Sequence, residues 1–147
     1  MGRETSPKII GRIMESFKFV IPGKPEYLSM VRLAISSVML ESGFDTEKTE
    51  DVKSALGEAC RYVYCHNNPG FSKEYTISCN LYDEKIEIII EDTGKGEYIE
   101  KTGERCLDCP KDGDLTVFYI KSLCDEFDLK EENGVKTMHI QKWKNQN

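Results

Sequence analysis

The sequence predicts an α+β domain, a two-layer sandwich in which helices cover one face of a mostly antiparallel, mixed sheet. Three observations carry this expectation. Three short stretches alternate apolar and polar residues with the period of a half-buried strand, a hairpin signal marks two more strands, and three longer stretches repeat apolar residues at helical spacing. The order is strand, helix, helix, strand, strand, long loop, helix, strand, strand. Most strands follow one another through short turns, which favours hairpins and leaves the helices to cover the sheet from one side. The other face is then free to be polar, solvated or used for assembly.

Each element has its own signal. Phe17, Phe19 and Ile21 alternate with Ser16 and Lys18, giving a first strand that Pro22-Gly23 breaks. Pro25 suits the first turn of a helix, where its missing N–H has no partner to lose. Leu28, Val31, Ile35 and Val38 carry that helix to a stop at Gly43. Asp45 or Thr46 can cap a second helix, with Val52, Ala55, Leu56, Ala59 and Val63 as its apolar stripe. It is expected to end near His66, before the turn cluster Asn67-Asn68-Pro69-Gly70. Tyr75, Ile77, Cys79 and Leu81 form one strand and Ile86, Ile88 and Ile90 the next, and the link Tyr82-Asp83-Glu84-Lys85 makes them a hairpin.

Residues 93–113 have no period, and a long loop inside a small domain is usually functional or disordered. Asp114 is expected to cap a third helix, with Val117, Ile120, Leu123, Cys124 and Phe127 on its buried side. Asn133-Gly134 then signals a hairpin between a strand around Phe127–Leu129 and one around Lys136–Trp143. Residues 1–15 lack a strong period and are expected to form a flexible arm, with one domain over 16–147. Met30, Met39 and Trp143 are read as packing residues.

Composition narrows the function. The chain has 147 residues, 39% hydrophobic and 31% charged, which is the make-up of a single globular domain. A net charge of −6 with no basic patch argues against binding nucleic acid through its phosphates. No apolar run is long enough for a membrane span, and no signal peptide is read at the N-terminus. The expected location is therefore the cytoplasm, where the six cysteines are thiols or metal ligands rather than disulfides. Met1-Gly2-Arg3-Glu4-Thr5-Ser6 fits the loose myristoylation pattern and is read as an accidental match.

Three places carry candidate chemistry. Glu91-Asp92-Thr93-Gly94-Lys95-Gly96 closes a strand and opens the long loop. Its glycines allow tight turns and close approach of a ligand, and Asp92 can accept a hydrogen bond from an amine at the bottom of a pocket. On the second helix, Glu58, Tyr62 and Cys65 or His66 share a face beside the apolar stripe, where a carboxylate can serve as general base. Lys111-Asp112-Gly113-Asp114 joins the loop to a helix N-terminus, which favours anions, although its aspartates oppose them. Singly, each reads as an ordinary turn, a solvated glutamate or a helix cap.

Taken together, a Glu-Ala pair on a helix, a strand ending in D-x-G-x-G and a loop closed by a glycine and a helix resemble the histidine-kinase-like ATPase domains. These are shared by gyrase, a heat-shock chaperone, sensor kinases and a mismatch-repair protein. Within that group the chain is most similar to the small bacterial anti-sigma factors that are also serine kinases. The resemblance spans roughly residues 16–143. It includes Pro22, Pro25-Glu26-Tyr27, the segment 50–66, Asp92–Gly96 and Ile120-Lys121-Ser122-Leu123-Cys124-Asp125-Glu126.

The resemblance implies roles. Glu58 matches the catalytic general base. Asp92 matches the aspartate that bonds the adenine amine, Gly94 and Gly96 the turn beneath the base, and Thr137 a nucleotide-contacting threonine. Residues 97–113 match a mobile lid, with Gly113 the surviving part of its far glycine motif. His66 matches a histidine at the end of the motif helix and is equally read as a dipole-stabilised helix end. ATP or ADP is the implied cofactor. The implied partners are a sigma factor, an anti-anti-sigma factor phosphorylated on serine, and a second copy of the chain.

The departures are specific. Tyr62 stands where the family has the asparagine that holds Mg²⁺, and a neutral phenol is a poor ligand for that hard cation. Asp114 and Thr116 replace glycines at the phosphate end. The Mg²⁺ site is therefore degenerate, no residue is assigned as a metal ligand, and phosphoryl transfer is expected to be weakened or lost. The rival reading is a nucleotide-independent protein-binding module with a vestigial pocket. A third is a zinc or redox sensor built on Cys106 and Cys109, half of a zinc site without its other pair.

Overall fold

A computed structural model describes residues 13–64, 74–92, 113–133 and 135–145. The elements are β1 (Glu15–Pro22), a 3-10 turn (Pro25–Tyr27), α1 (Leu28–Glu41), α2 (Thr46–Tyr64), β2 (Glu74–Leu81), β3 (Lys85–Asp92), α3 (Gly113–Leu123), β4 (Glu126–Glu132) and β5 (Val135–Trp143). The five strands form one sheet in the order β1-β2-β3-β5-β4. Every pairing in it is antiparallel, so the mixed character allowed by the sequence is not used.

Alternation fixes what each sheet face does. Ile21, Tyr75, Ile77, Cys79, Leu81, Ile86, Ile88, Ile90, Met138 and Ile140 are buried on one face. The helices supply Leu28, Val31, Ile35, Met39, Val52, Leu56 and Ile120 to the same core. The opposite face carries Lys18, Ser78, Asn80, Glu87, His139 and Gln141. Small helix residues at the interface, Ala55 and Ala59, let α2 lie close to the strands beneath it, and it packs on both β3 and β5.

Local chemistry sets the ends of the helices. Pro25 opens a 3-10 turn rather than the α-helix itself, which starts at Leu28. Its buried stripe is Leu28, Val31, Ile35 and Met39, with Val38 only half-buried. Gly43 follows with φ +100°, a conformation that favours glycine. The Phe44 N–H bonds the Met39 carbonyl at 3.0 Å and the Gly43 N–H bonds that of Leu40 at 3.3 Å. This pair of bonds is the Schellman stop, and its usual hydrophobic contact is available from Phe44 and Met39, both buried.

Of the two capping candidates for α2, Asp45 is the cap. Its Oδ1 accepts from the Lys48 backbone N–H at 2.8 Å, and that bond holds the carboxyl below its ordinary pKa.

Three expectations need correction. The third helix ends at Leu123, so Cys124 and Phe127 lie beyond it, and Phe127 belongs to β4. Met39 packs in the core as read, but Met30 is 54% exposed. The first strand begins at Glu15, inside the expected arm, and residues 1–12 lie outside the described ones. The end of α2 near His66, the turn after it, residues 93–112 and the side chain of Asp114 also lie outside them.

A single ammonium ties three elements together. Lys142 on β5 reaches Asp51 of α2 at 3.3 Å and the Leu123 carbonyl at the end of α3 at 2.9 Å. Its side chain is only 12% exposed, so both bonds are sheltered from bulk water.

Candidate functional site

β3 runs out of the core at Asp92. Because Ile86, Ile88 and Ile90 point into the core, strand alternation puts Asp92 on the same face. Asp92 is 3% exposed, one of few buried polar residues among those described. A carboxylate in that position is shielded from solvent and aimed at the helical layer.

That layer is formed there by α2, which carries Glu58 between Gly57 and the fully buried Ala59. Glu58 is half-buried. A methyl group at Gly57 would lie 3.7 Å from the Arg32 guanidinium, which crosses from α1, an ordinary contact that does not require glycine there. Tyr62 sits one turn after Glu58 on the α2 backbone, and its side chain lies outside the described residues. Gly113 is the first residue of α3, while Gly94, Gly96, Cys106 and Cys109 lie outside the described residues.

Thr137 is not brought to this place. In the β3–β5 ladder it stands opposite Glu91, on the face away from the helices. The residue opposite Asp92 is Lys136, half-buried and on the helical side. Lys136 was missed by the sequence reading. Counting back by twos from the apolar Met138 identifies it, since both then share one face.

The outer sheet face holds a second polar group that the sequence did not suggest. Glu87, with a side chain 14% exposed, accepts from Asn80 Nδ2 at 2.9 Å and from Tyr82 Oη at 3.0 Å, and its other oxygen meets His139 Nε2. Burial alone would raise the carboxyl's pKa. The bonds from Asn80, His139 and Tyr82 outweigh it and hold the group below the ordinary glutamate value of 4.5. A depressed carboxyl stabilises the fold fully above its unfolded value, and that contribution is lost as the pH falls through the folded one. Melting temperature is therefore expected to drop below pH 4.5, and Glu87→Gln to drop less over the same range. Equal acid sensitivity in thermal melts of the two proteins would refute the assignment.

The described thiols are poorly poised for reaction. Burial pushes Cys60 and Cys79 up to about 12 and Cys124 up to about 11. Cys124 also donates to the Ile120 carbonyl at 3.2 Å. Among the described residues no three histidines, cysteines or carboxylates gather in a way that could hold a metal ion. No described helix is long and apolar enough to cross a membrane.

Comparison with known proteins agrees with this geometry. Residues 21–142 match the family described as Histidine kinase-like ATPase domain. A relative named "Serine-protein kinase RsbW" from Oceanobacillus iheyensis is 34% identical over 127 residues, covering 80% of each chain. One of the same name from Halalkalibacterium halodurans is 30% identical over 131 residues, covering 82% of this chain and 79% of its own. Among solved structures, the RsbU and RsbW domains of Rv1364c from Mycobacterium tuberculosis superpose with a TM-score of 0.66 at 14% identity. That match covers 90% of this chain and 34% of the longer one, and speaks for the fold alone. With its five-stranded antiparallel sheet, three covering helices and a buried aspartate at the end of β3, this chain belongs to the histidine kinase-like ATPase domain family.

Proposed function

We propose that this chain is a nucleotide-binding anti-sigma factor of the serine-kinase type. The observation that carries this is Asp92, buried at the mouth of β3 beneath the helix that bears Glu58. A sheltered carboxylate there suits the exocyclic amine of adenine, because a charged acceptor out of water makes a stronger hydrogen bond. The relatives named as serine-protein kinases, similar over four-fifths of the chain, support the same reading. Gly94 and Gly96 would allow the base to approach the backbone, and Gly113 would close the loop over the phosphates.

Glu58 would take the proton from an attacking serine hydroxyl. Mg²⁺, where bound, supplies charge neutralisation at the transferring phosphate. Tyr62 and Asp114 disfavour that end, so the nucleotide is held mainly by its base and phosphoryl transfer is weak. Partner exchange between a sigma factor and an anti-anti-sigma factor then depends on a homodimer in the cytoplasm.

Calorimetric titration with ATP and ADP, with and without Mg²⁺, tests the proposal. Both nucleotides are expected to bind with little effect of the metal. Tyr62→Asn is expected to strengthen Mg²⁺-ATP binding by roughly tenfold, about 1.4 kcal/mol. No nucleotide binding at all would replace the proposal with a pure partner-binding module. Binding without any gain from Tyr62→Asn would remove the role given to Tyr62.

A further inference from the structure

The helical face of the β3–β5 ladder changes character at its open end. Ile88 faces Ile140 and Ile90 faces Met138, all four buried, and the next pair on that face is Asp92 and Lys136. Residues opposed on one face of an antiparallel pair have Cβ atoms about 4.5–5.5 Å apart, and opposite charges set there attract each other. Lys136 nevertheless does not close onto Asp92. Among the described residues it makes no ion pair or hydrogen bond, although it is half-buried. A charged donor and a charged acceptor therefore stand side by side beneath α2, which packs on both strands.

We infer that Lys136 is a second base-reading residue, and that with Asp92 it opens the pocket to guanine nucleotides as well as adenine ones. The inference rests on the nucleotide pocket of the proposed function and names what that pocket selects. The class of ligand follows from charge. A phosphate drawn to the ammonium would also meet the Asp92 carboxylate, so the pair suits a neutral group that offers donors and an acceptor along one edge. A nucleobase is such a group.

The two purines use the pair differently. Adenine gives Asp92 one N–H of its exocyclic amine and gives Lys136 a ring nitrogen. Guanine makes fuller use of both. Its N1–H and N2–H point in parallel, as two N–H bonds of a guanidinium do, and fit the two oxygens of one carboxylate. Its O6, next along the same edge, is an acceptor for the ammonium. Without Lys136 that carbonyl oxygen would be buried with no donor, which costs the full desolvation of the group.

Calorimetric titration with GDP and ADP, both without Mg²⁺, tests the inference on the wild type, Lys136→Met and a control, Lys130→Met. The two nucleotides carry the same phosphates, so the ratio of their affinities reports the base alone. Lys136→Met keeps the apolar stem and removes the ammonium. Lys130 is exposed on β4 opposite Thr137, so the control makes the same change of net charge away from the pocket face. The wild type is expected to bind GDP at least as tightly as ADP. Lys136→Met is expected to weaken GDP about tenfold or more and ADP by less, since it strands a carbonyl oxygen only in the first case. Lys130→Met should leave the ratio unchanged, and circular dichroism should show both variants folded. IDP, which lacks the N2 amine, should bind the wild type more weakly than GDP, a readout that needs no variant. A wild type that prefers ADP to GDP or holds IDP as well as GDP, or a ratio that Lys136→Met does not lower, overturns the inference while the pocket stands. A wild type that binds none of these nucleotides overturns the proposed function as well.

Discussion

Asp92→Asn is expected to weaken ADP binding by roughly tenfold or more, since a hydrogen bond to a charged group contributes about 1.5–3 kcal/mol. The substitution keeps the shape of the side chain and one oxygen, so the fold should persist. What it removes is the charge that makes this acceptor strong in a site 3% exposed to solvent. It also places an amide donor where the ligand presents another donor. Calorimetry with ADP, without Mg²⁺, isolates the adenine end from the phosphate end. Unchanged affinity in a folded Asp92→Asn protein would show that the base is held elsewhere. The same variant should leave the Glu87 group untouched, because that group lies on the other face of the sheet.

Ile88→Ala is expected to cost about 2–5 kcal/mol of stability, the range for removing most of a buried aliphatic side chain. Ile88 is fully buried at the centre of the sheet, opposite Cys79 on β2 and Ile140 on β5. Both neighbours are themselves buried and held by their own ladders, so the space cannot close by local collapse. For a domain near this size a change of that order lowers the melting temperature by about 5–20 °C. Chemical denaturation should show a lower midpoint with the slope unchanged. A loss under about 1 kcal/mol would mean that the sheet relaxes into the cavity. Ile89, next in the chain, points to the other face and is half-buried, so Ile89→Ala should cost clearly less.

The contrast between Ile88 and Ile89 shows how far sequence reading reaches. Alternation is a local property of the backbone, so the buried faces of β2 and β3 could be read from Tyr75, Ile77, Cys79 and Leu81 and from Ile86, Ile88 and Ile90. The stop at Gly43 and the cap at Asp45 were legible for the same reason, since each needs only the few residues around it. Asp92 was legible because a short motif places it at a strand end. The boundaries near Pro25 and Phe127 were less so. Pro25 tolerates a 3-10 turn as well as an α-helix, and Phe127 fits the spacing of both the helix before it and the strand that contains it.

Register lies beyond local rules. Thr137 and Lys136 are adjacent in the chain, and only the ladder with β3 decides which of them shares a face with Asp92. The Glu87 cluster joins residues from three elements, with Glu87 and His139 separated by 52 positions. The placement of β5 between β3 and β4 is also unreadable from a hairpin signal alone, because Asn133-Gly134 specifies that β4 and β5 pair and not which of them meets β3.

The sequence by itself thus determined the elements, their buried faces, the two-layer class and the carboxylates that suggest nucleotide chemistry, all of which depend on nearest neighbours and short motifs. Tertiary structure alone decided which polar residues share the pocket face and which form a network on the outer face. Those depend on contacts between distant segments, whose register is set by the packing of the whole core.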